Sequence, residues 1–128
     1  MSRSTHDPVP QITRAMVKTA ARRVFPDAAP TEILAVLDRY GVESYEQEPE
    51  RVRMGALKLS GGDRAALEHY IEVAKLDFRD VLAGAEYPGF LDAGFTGVEE
   101  MRPAERRRLV EADAKQHADW LEAHAGGE

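Results

Sequence analysis

Residues 63–85 read DRAALEHYIEVAKLDFRDVLAGA, and their apolar positions decide the fold class. Leu67, Tyr70, Ile71, Ala74, Phe78, Val81, Leu82 and Ala85 follow one another by threes and fours. That spacing places side chains along one stripe of an α-helix. The stripe persists for about three heptads, which predicts one long helix with a helix–helix seam. Asp63 stands where an N-cap is wanted. Glu68, Glu72, Lys75 and Arg79 share another face at pairing distance. Phe78 lies within the seam and is expected in the core.

The same signals recur on either side. Upstream, Ile12, Ala15, Met16, Ala20 and Val24 keep helical spacing, so a first helix is expected from about Ile12 to Phe25, ended by Pro26. A second should run from about Thr31 to Tyr40, with Thr31 or Asp27 as cap and Ile33, Val36, Leu37 and Tyr40 as its stripe. Gly41 suits the left-handed residue that follows a helix, and Val42 is expected to pack back onto it. Residues 43–50, ESYEQEPE, read as an acidic linker. Pro49 fits the first turn of a third helix, where its missing N–H costs nothing. That helix carries Val52, Ala56, Leu57 and Leu59 and should stop at Ser60-Gly61-Gly62.

Downstream, residues 84–97 hold four glycines and a proline among Tyr87, Phe90, Leu91 and Phe95, and read as a loop. Pro103 opens a last helix to about His124, with Leu109, Val110, Ala114, Ala118 and Leu121 as its apolar face. No segment alternates as a strand would. The expectation is an all-α protein. Residues 1–10 form a disordered arm and residues 11–128 a single domain. Within it, residues 11–60 make an N-terminal three-helix bundle, packed on an antiparallel helical hairpin (63–125) that turns through the loop at 84–97.

Composition narrows the function classes. The 128 residues contain no cysteine, which excludes disulfides, thiol catalysis and Cys-ligated metal. No apolar run reaches the length of a membrane span, and the N-terminus lacks the apolar stretch of a signal peptide; a cytoplasmic protein with no membrane partner is expected. Abundant Ala, Gly, Arg and Pro with few Lys suggest a bacterial genome. The net charge is −6, and residues 61–100 carry nine acids against three bases, which argues against nucleic acid as a partner. Two basic clusters stand out locally, Arg14/Lys18/Arg22/Arg23 and Arg102/Arg106/Arg107/Arg108. Glu105 and Glu111 interrupt the second, and no stacking aromatics interleave with the first.

No catalytic, cofactor or metal motif emerges. His117 and His124 are seven apart and share a face with Asp113, while His69 precedes Glu72 and Asp77. A two-histidine, carboxylate site is conceivable between facing helices, but no Glu-x-x-His or His-x-x-x-His pair occurs, so boundary histidines are the expectation. Asp77 and Asp80 flank Phe78-Arg79 as a pair of carboxylates; a solvated face accounts for them. None of Ser2, Ser4, Ser44 and Ser60 lies in a Gly-x-Ser-x-Gly turn.

Three stretches carry a resemblance: Val24-Phe25-Pro26 closing the first helix, EILAVLDRYGV at 32–42 and PERVRMGALKLS at 49–60. Together they make residues 12–60 similar to the short three-helix modules of the UBA/CUE type. Val24 stands where the CUE pattern has methionine, and Ala56-Leu57 where it has two leucines, so no ubiquitin-binding residue is carried over. ERVRMGALKLSGGD (50–63), KLDFRDVLAGAEYP (75–88) and DWLEA (119–123) make the whole chain resemble a group of short helical bacterial proteins without assigned function, which implies a recurrent helical fold and no activity.

The expected function is a non-enzymatic protein-interaction or regulatory module, with a protein partner or a second copy as ligand. The alternatives are a helical DNA-binding regulator and a metal- or small-ligand-binding bundle. Apolar residues that one stripe per helix leaves over mark the expected partner surface: Phe25 and Pro26 at a helix end, Met54 and Leu57 on different sides of the third helix, and Tyr87 and Phe90 in the glycine-rich loop.

Overall fold

A computed structural model describes residues 11–126, the side chain of Phe95 excepted. The expected arm at 1–10 lies outside the described residues. The chain is all-α: α1 (Arg14–Val24), α2 (Pro30–Leu37), α3 (Pro49–Ser60), α4 (Arg64–Leu76), α5 (Phe78–Glu86), α6 (Pro88–Glu100) and α7 (Pro103–Ala125). Among the described residues no strand forms, and no helix is long and apolar enough to cross a membrane.

The helix ends have local causes. The Met16 amide donates to the Thr13 hydroxyl at the start of α1, and the Ala65 amide donates to Asp63 at the start of α4 at 2.9 Å. Proline occupies the first turn of α2, α3, α6 and α7. Gly41 follows α2 with φ +96°, and a Cβ there would lie 2.6 Å from the Arg53 guanidinium; only glycine serves. Arg53 uses that approach to donate to the carbonyls of Leu37 and Tyr40, closing the end of α2. Val42 does not pack back as expected and is exposed. Instead the Glu46 carboxylate turns inward and accepts the amides of Gly41, Val42 and Glu43, so the loop is held by polar bonds.

The centre of the protein is α3, which packs against α1, α4 and α5. Neighbours on several sides explain why it buries Val52, Met54, Ala56 and Leu57 together. Gly55 lets α5 come close: a Cβ there would meet Val81 at 3.2 Å and Ala85 at 3.3 Å. Around this contact sit Leu67, Ile71, Ile33 and Leu37, all with no exposed surface. Each such side chain contributes on the order of 1.5–3 kcal/mol through burial.

Two expectations about the second half need correction. The long helix of residues 63–85 is two helices. Asp77 takes an extended conformation (φ −157°, ψ 101°), closes α4 with its own amide on Val73 and caps α5 by accepting from Arg79. The apolar period continues across the break, so Phe78 still packs against the core edge while Leu76 is left 89% exposed. The glycine-rich segment is likewise helical, forming the end of α5 and then α6, which kinks at Gly94 (φ +76°). As a result the expected hairpin does not form: α7 lies along α1, α5 and α6 rather than along α4.

Candidate partner-docking surface

The α7 helix positions the region of interest, and its buried stripe differs from expectation. Asp113, His117, Leu121 and Ala125 face inward, whereas Val110 and Ala118 are exposed. Two polar residues tolerate burial because each is satisfied. Asp113 accepts the amides of Gly89 and Phe90 at 2.8 and 2.9 Å, supplying from a distant helix the cap that α6 lacks locally. His117 accepts at Nδ1 from the Lys58 ammonium at 3.0 Å.

Lys58 is the pivot of this clasp. Its ammonium also donates to the Ala85 carbonyl of α5 and to Gln116 of α7, so three acceptors take its three protons. Burial pushes Lys58 down to about 8, against the pull of Glu86 and Asp113. Burial, and then the charges of Lys58 and Arg51, push His117 down to about 4. Beside it the Arg51 guanidinium grips the buried Glu86 carboxylate bidentately at 2.7 and 2.6 Å. Such a network joins α3, α5 and α7 by satisfied polar bonds; it presents no free nucleophile or base.

The other histidines among the described residues, His69 and His124, are also occupied by structure. His124 stacks on Trp120 at 4.4 Å, and His69 meets the edge of Tyr70. Asp77 is a helix cap paired with Arg79, whose guanidinium holds it below the usual carboxylate range. Among the described residues no three His, Asp or Glu side chains gather as a metal site. Many arginines are spent internally as well. Arg14 pairs with Asp38 through two 2.8 Å bonds, Arg23 donates to the Ala123 and Gly126 carbonyls at the end of α7, and Arg106 donates to Val98 and Met101 at the end of α6.

The structure separates the six residues expected at a partner surface. Phe25, Met54 and Leu57 are in the core, which corrects their placement: the three helices around α3 use both of its sides. Pro26 is exposed beside Phe25. Tyr87 and Phe90 are half-buried and line a groove of about 330 Å³ together with Ala83, Leu91 and Val110. The turn at Tyr87-Pro88 and the Asp113 cap create it, by folding the start of α6 between α5 and α7. The surface that these side chains turn towards the groove is apolar. Leu91 of α6 is 57% exposed, and Val110 of α7 is 37% exposed although Leu121 and Ala125 further along the α7 stripe are buried. The apolar stripe of α7 thus outruns the core that covers it. A second recess of about 460 Å³, between the loop at 41–48 and the α4–α5 break, mixes Tyr45 and Leu76 with Glu46, Lys75, Asp77 and Arg79.

Leu91 and Val110 were missed as surface residues. The readable signal was Tyr87-Pro88 as a helix start, with Leu91 one turn on. No family model matches the chain, and no curated protein or solved structure matches it.

Proposed function

We propose that this chain is a non-enzymatic protein-interaction module whose docking site is the groove between α5, α6 and α7. The observation that carries the proposal is the wholly apolar groove at which Leu91 and Val110 stand exposed. Contiguous apolar surface on a small domain marks a partner site, and grooves between helices receive apolar anchors of a partner helix. The internal use of Lys58, His117, Arg51 and Glu86 supports a binding role over catalysis. A DNA-reading role for α2 and α3 has no matching feature, since Arg51 and Arg53 are both engaged inside the fold. A cytoplasmic location is part of the same proposal, and the likeness of residues 12–60 to a UBA/CUE module adds no ligand to it.

A photo-crosslinking amino acid at position 91 tests this. Irradiated in the cells the protein comes from, it should give a discrete adduct that disappears with Val110→Asp. The same crosslinker at the exposed position 115 should give none. Equal labelling from both positions would overturn the assignment.

A further inference from the structure

The side chains that line the groove stand on two sides of it. Ala83, Tyr87, Phe90 and Leu91 belong to α5, α6 and the turn between them, and Val110 belongs to α7. Two sets of polar bonds join those sides next to the lining. Lys58 ties the Ala85 carbonyl to Gln116 and His117 of α7, and Asp113 of α7 holds the Gly89 and Phe90 amides. Tyr87 lies between the two ties in sequence, and Phe90 within the second. Asp113 and His117 are four apart and share one face of α7. A movement of α7 that parts His117 from Lys58 therefore also pulls on the Asp113 bonds.

The Lys58–His117 contact has room for one ionising proton. With that proton on Lys58, Nδ1 of His117 accepts. A second proton leaves two charged N–H donors 3.0 Å apart with no lone pair between them. His117 is too deeply buried for water to screen the pair. The charged groups around it are already committed. From α3, Lys58 and Arg51 both oppose a proton on His117. From α5, Glu86 is gripped by Arg51, and on α7 itself Asp113 is held by the α6 amides; both acids act on Lys58. Tyr87 at the start of α6 acts on Arg51, and Arg23 of α1 binds carbonyls further along α7. Loss of the shared proton does no such harm. Lys58 then keeps two donors for Ala85 and Gln116, and the His117 tautomer with hydrogen on Nδ1 donates to the lysine lone pair.

We propose that the clasp is an acid latch on the groove: a second proton on the Lys58–His117 pair parts α7 from the α5–α6 turn and takes Tyr87 and Phe90 out of their docking positions. This rests on the groove being the docking site. Once the latch is open, His117 titrates at its ordinary 6.5 rather than at about 4, which makes opening on the order of thirtyfold more frequent at pH 5 than at pH 7.5.

Amide exchange followed by NMR on the full chain tests the latch, each rate taken relative to an unstructured chain at the same pH. Protection at Gly89 and Phe90 should fall by on the order of thirtyfold from pH 7.5 to pH 5. Low urea should leave that exchange unchanged, because a local opening exposes little surface, whereas Val52 and Ala56 in α3 should be better protected and should respond to urea. In His117→Asn, protection at Gly89 and Phe90 should be the same at both pH values. If Gly89 and Phe90 exchange only together with Val52 and Ala56, with the same urea dependence, the latch is overturned. A fall with pH as large in His117→Asn as in wild type also overturns it. The photo-crosslinker at position 91 reads the effect on docking in native extract. Its adduct should persist at pH 8.5, weaken at pH 5, and persist at pH 5 in His117→Asn. A wild-type adduct of equal yield at pH 5 overturns the proposal. If position 91 captures nothing at any pH while exchange behaves as expected, the acid opening stands and the docking reading alone falls.

Discussion

Acidification should weaken this protein through His117. The imidazole is 4% exposed and accepts from the Lys58 ammonium, so a proton on Nδ1 would face a positive charge without solvent. Folding lowers its pKa from 6.5 to about 4. For a base lowered by folding, the neutral form is the stable one in the native state. The native state is therefore unpenalised above pH 6.5 and loses stability as the pH falls towards 4. The full difference corresponds to about 3 kcal/mol, and most of it is spent by pH 4.5. Asp38 beside Arg14 and Asp77 beside Arg79 are held low, so their losses come at more acid pH. Urea unfolding at intervals from pH 7 to pH 4.5 isolates the histidine. His117→Asn offers Lys58 an acceptor that does not titrate. Its stability should be lower than wild type at pH 7 and nearly flat over this range, whereas the wild type falls by about 2–3 kcal/mol. Parallel slopes for the two proteins would refute the Lys58–His117 clasp.

Asp113→Ala removes both bonds that cap α6 and should cost about 1–2 kcal/mol, with faster amide exchange at Gly89 and Phe90 by NMR; Asp113→Asn, which keeps one acceptor oxygen, should cost less. The two helical glycines should separate by sign in thermal melts. Gly84→Ala meets Leu59 at an ordinary 3.4 Å and should stabilise by about 0.5–1 kcal/mol. Gly55→Val drives side-chain atoms into Val81 and Ala85 and should destabilise by about 1–3 kcal/mol.

Where a helix boundary is made by its own neighbours, it was legible in the sequence. Pro49, Asp63 and Pro103 mark helix starts, and Gly61 marks a helix end, through effects that reach only a few residues; α2 stops at Leu37, short of Gly41. The α4–α5 break was not legible, because the spacing from Ala74 to Phe78 to Val81 continues across it, and Asp77 as a cap looks like any solvated acid. The start of α6 was hidden for a different reason. Its glycines argue for a loop, and the group that stabilises its free amides is Asp113, more than twenty residues away. The buried polar pair on α7 was equally out of reach: Asp113 and His117 belong to the inner face only because α6 and Lys58 meet them there. Half of the expected partner surface failed on packing. Met54 and Leu57 are three apart and so lie close on α3 rather than on different sides of it, and a helix surrounded by α1, α4 and α5 has few sides left for solvent.

The α7 stripe connects these observations to function. At its C-terminal half, Leu121 and Ala125 are covered, and Arg23 from α1 binds the final carbonyls, so that end of the bundle is sealed. In the middle, where α5 turns into α6, the stripe becomes polar and is matched residue for residue by Lys58 and the α6 amides. Beyond Asp113 the stripe turns apolar again at Val110, yet the kink at Gly94 and the Arg106 bonds to Val98 and Met101 fix the rest of α6 without closing over it. A buried polar clasp thus stands between a sealed core and an open apolar groove. Loss of an apolar anchor at Leu91 or Val110 leaves the core intact, whereas loss of the clasp frees the walls that shape the groove. That division is why substitutions at Leu91 and Val110 can test binding without testing folding.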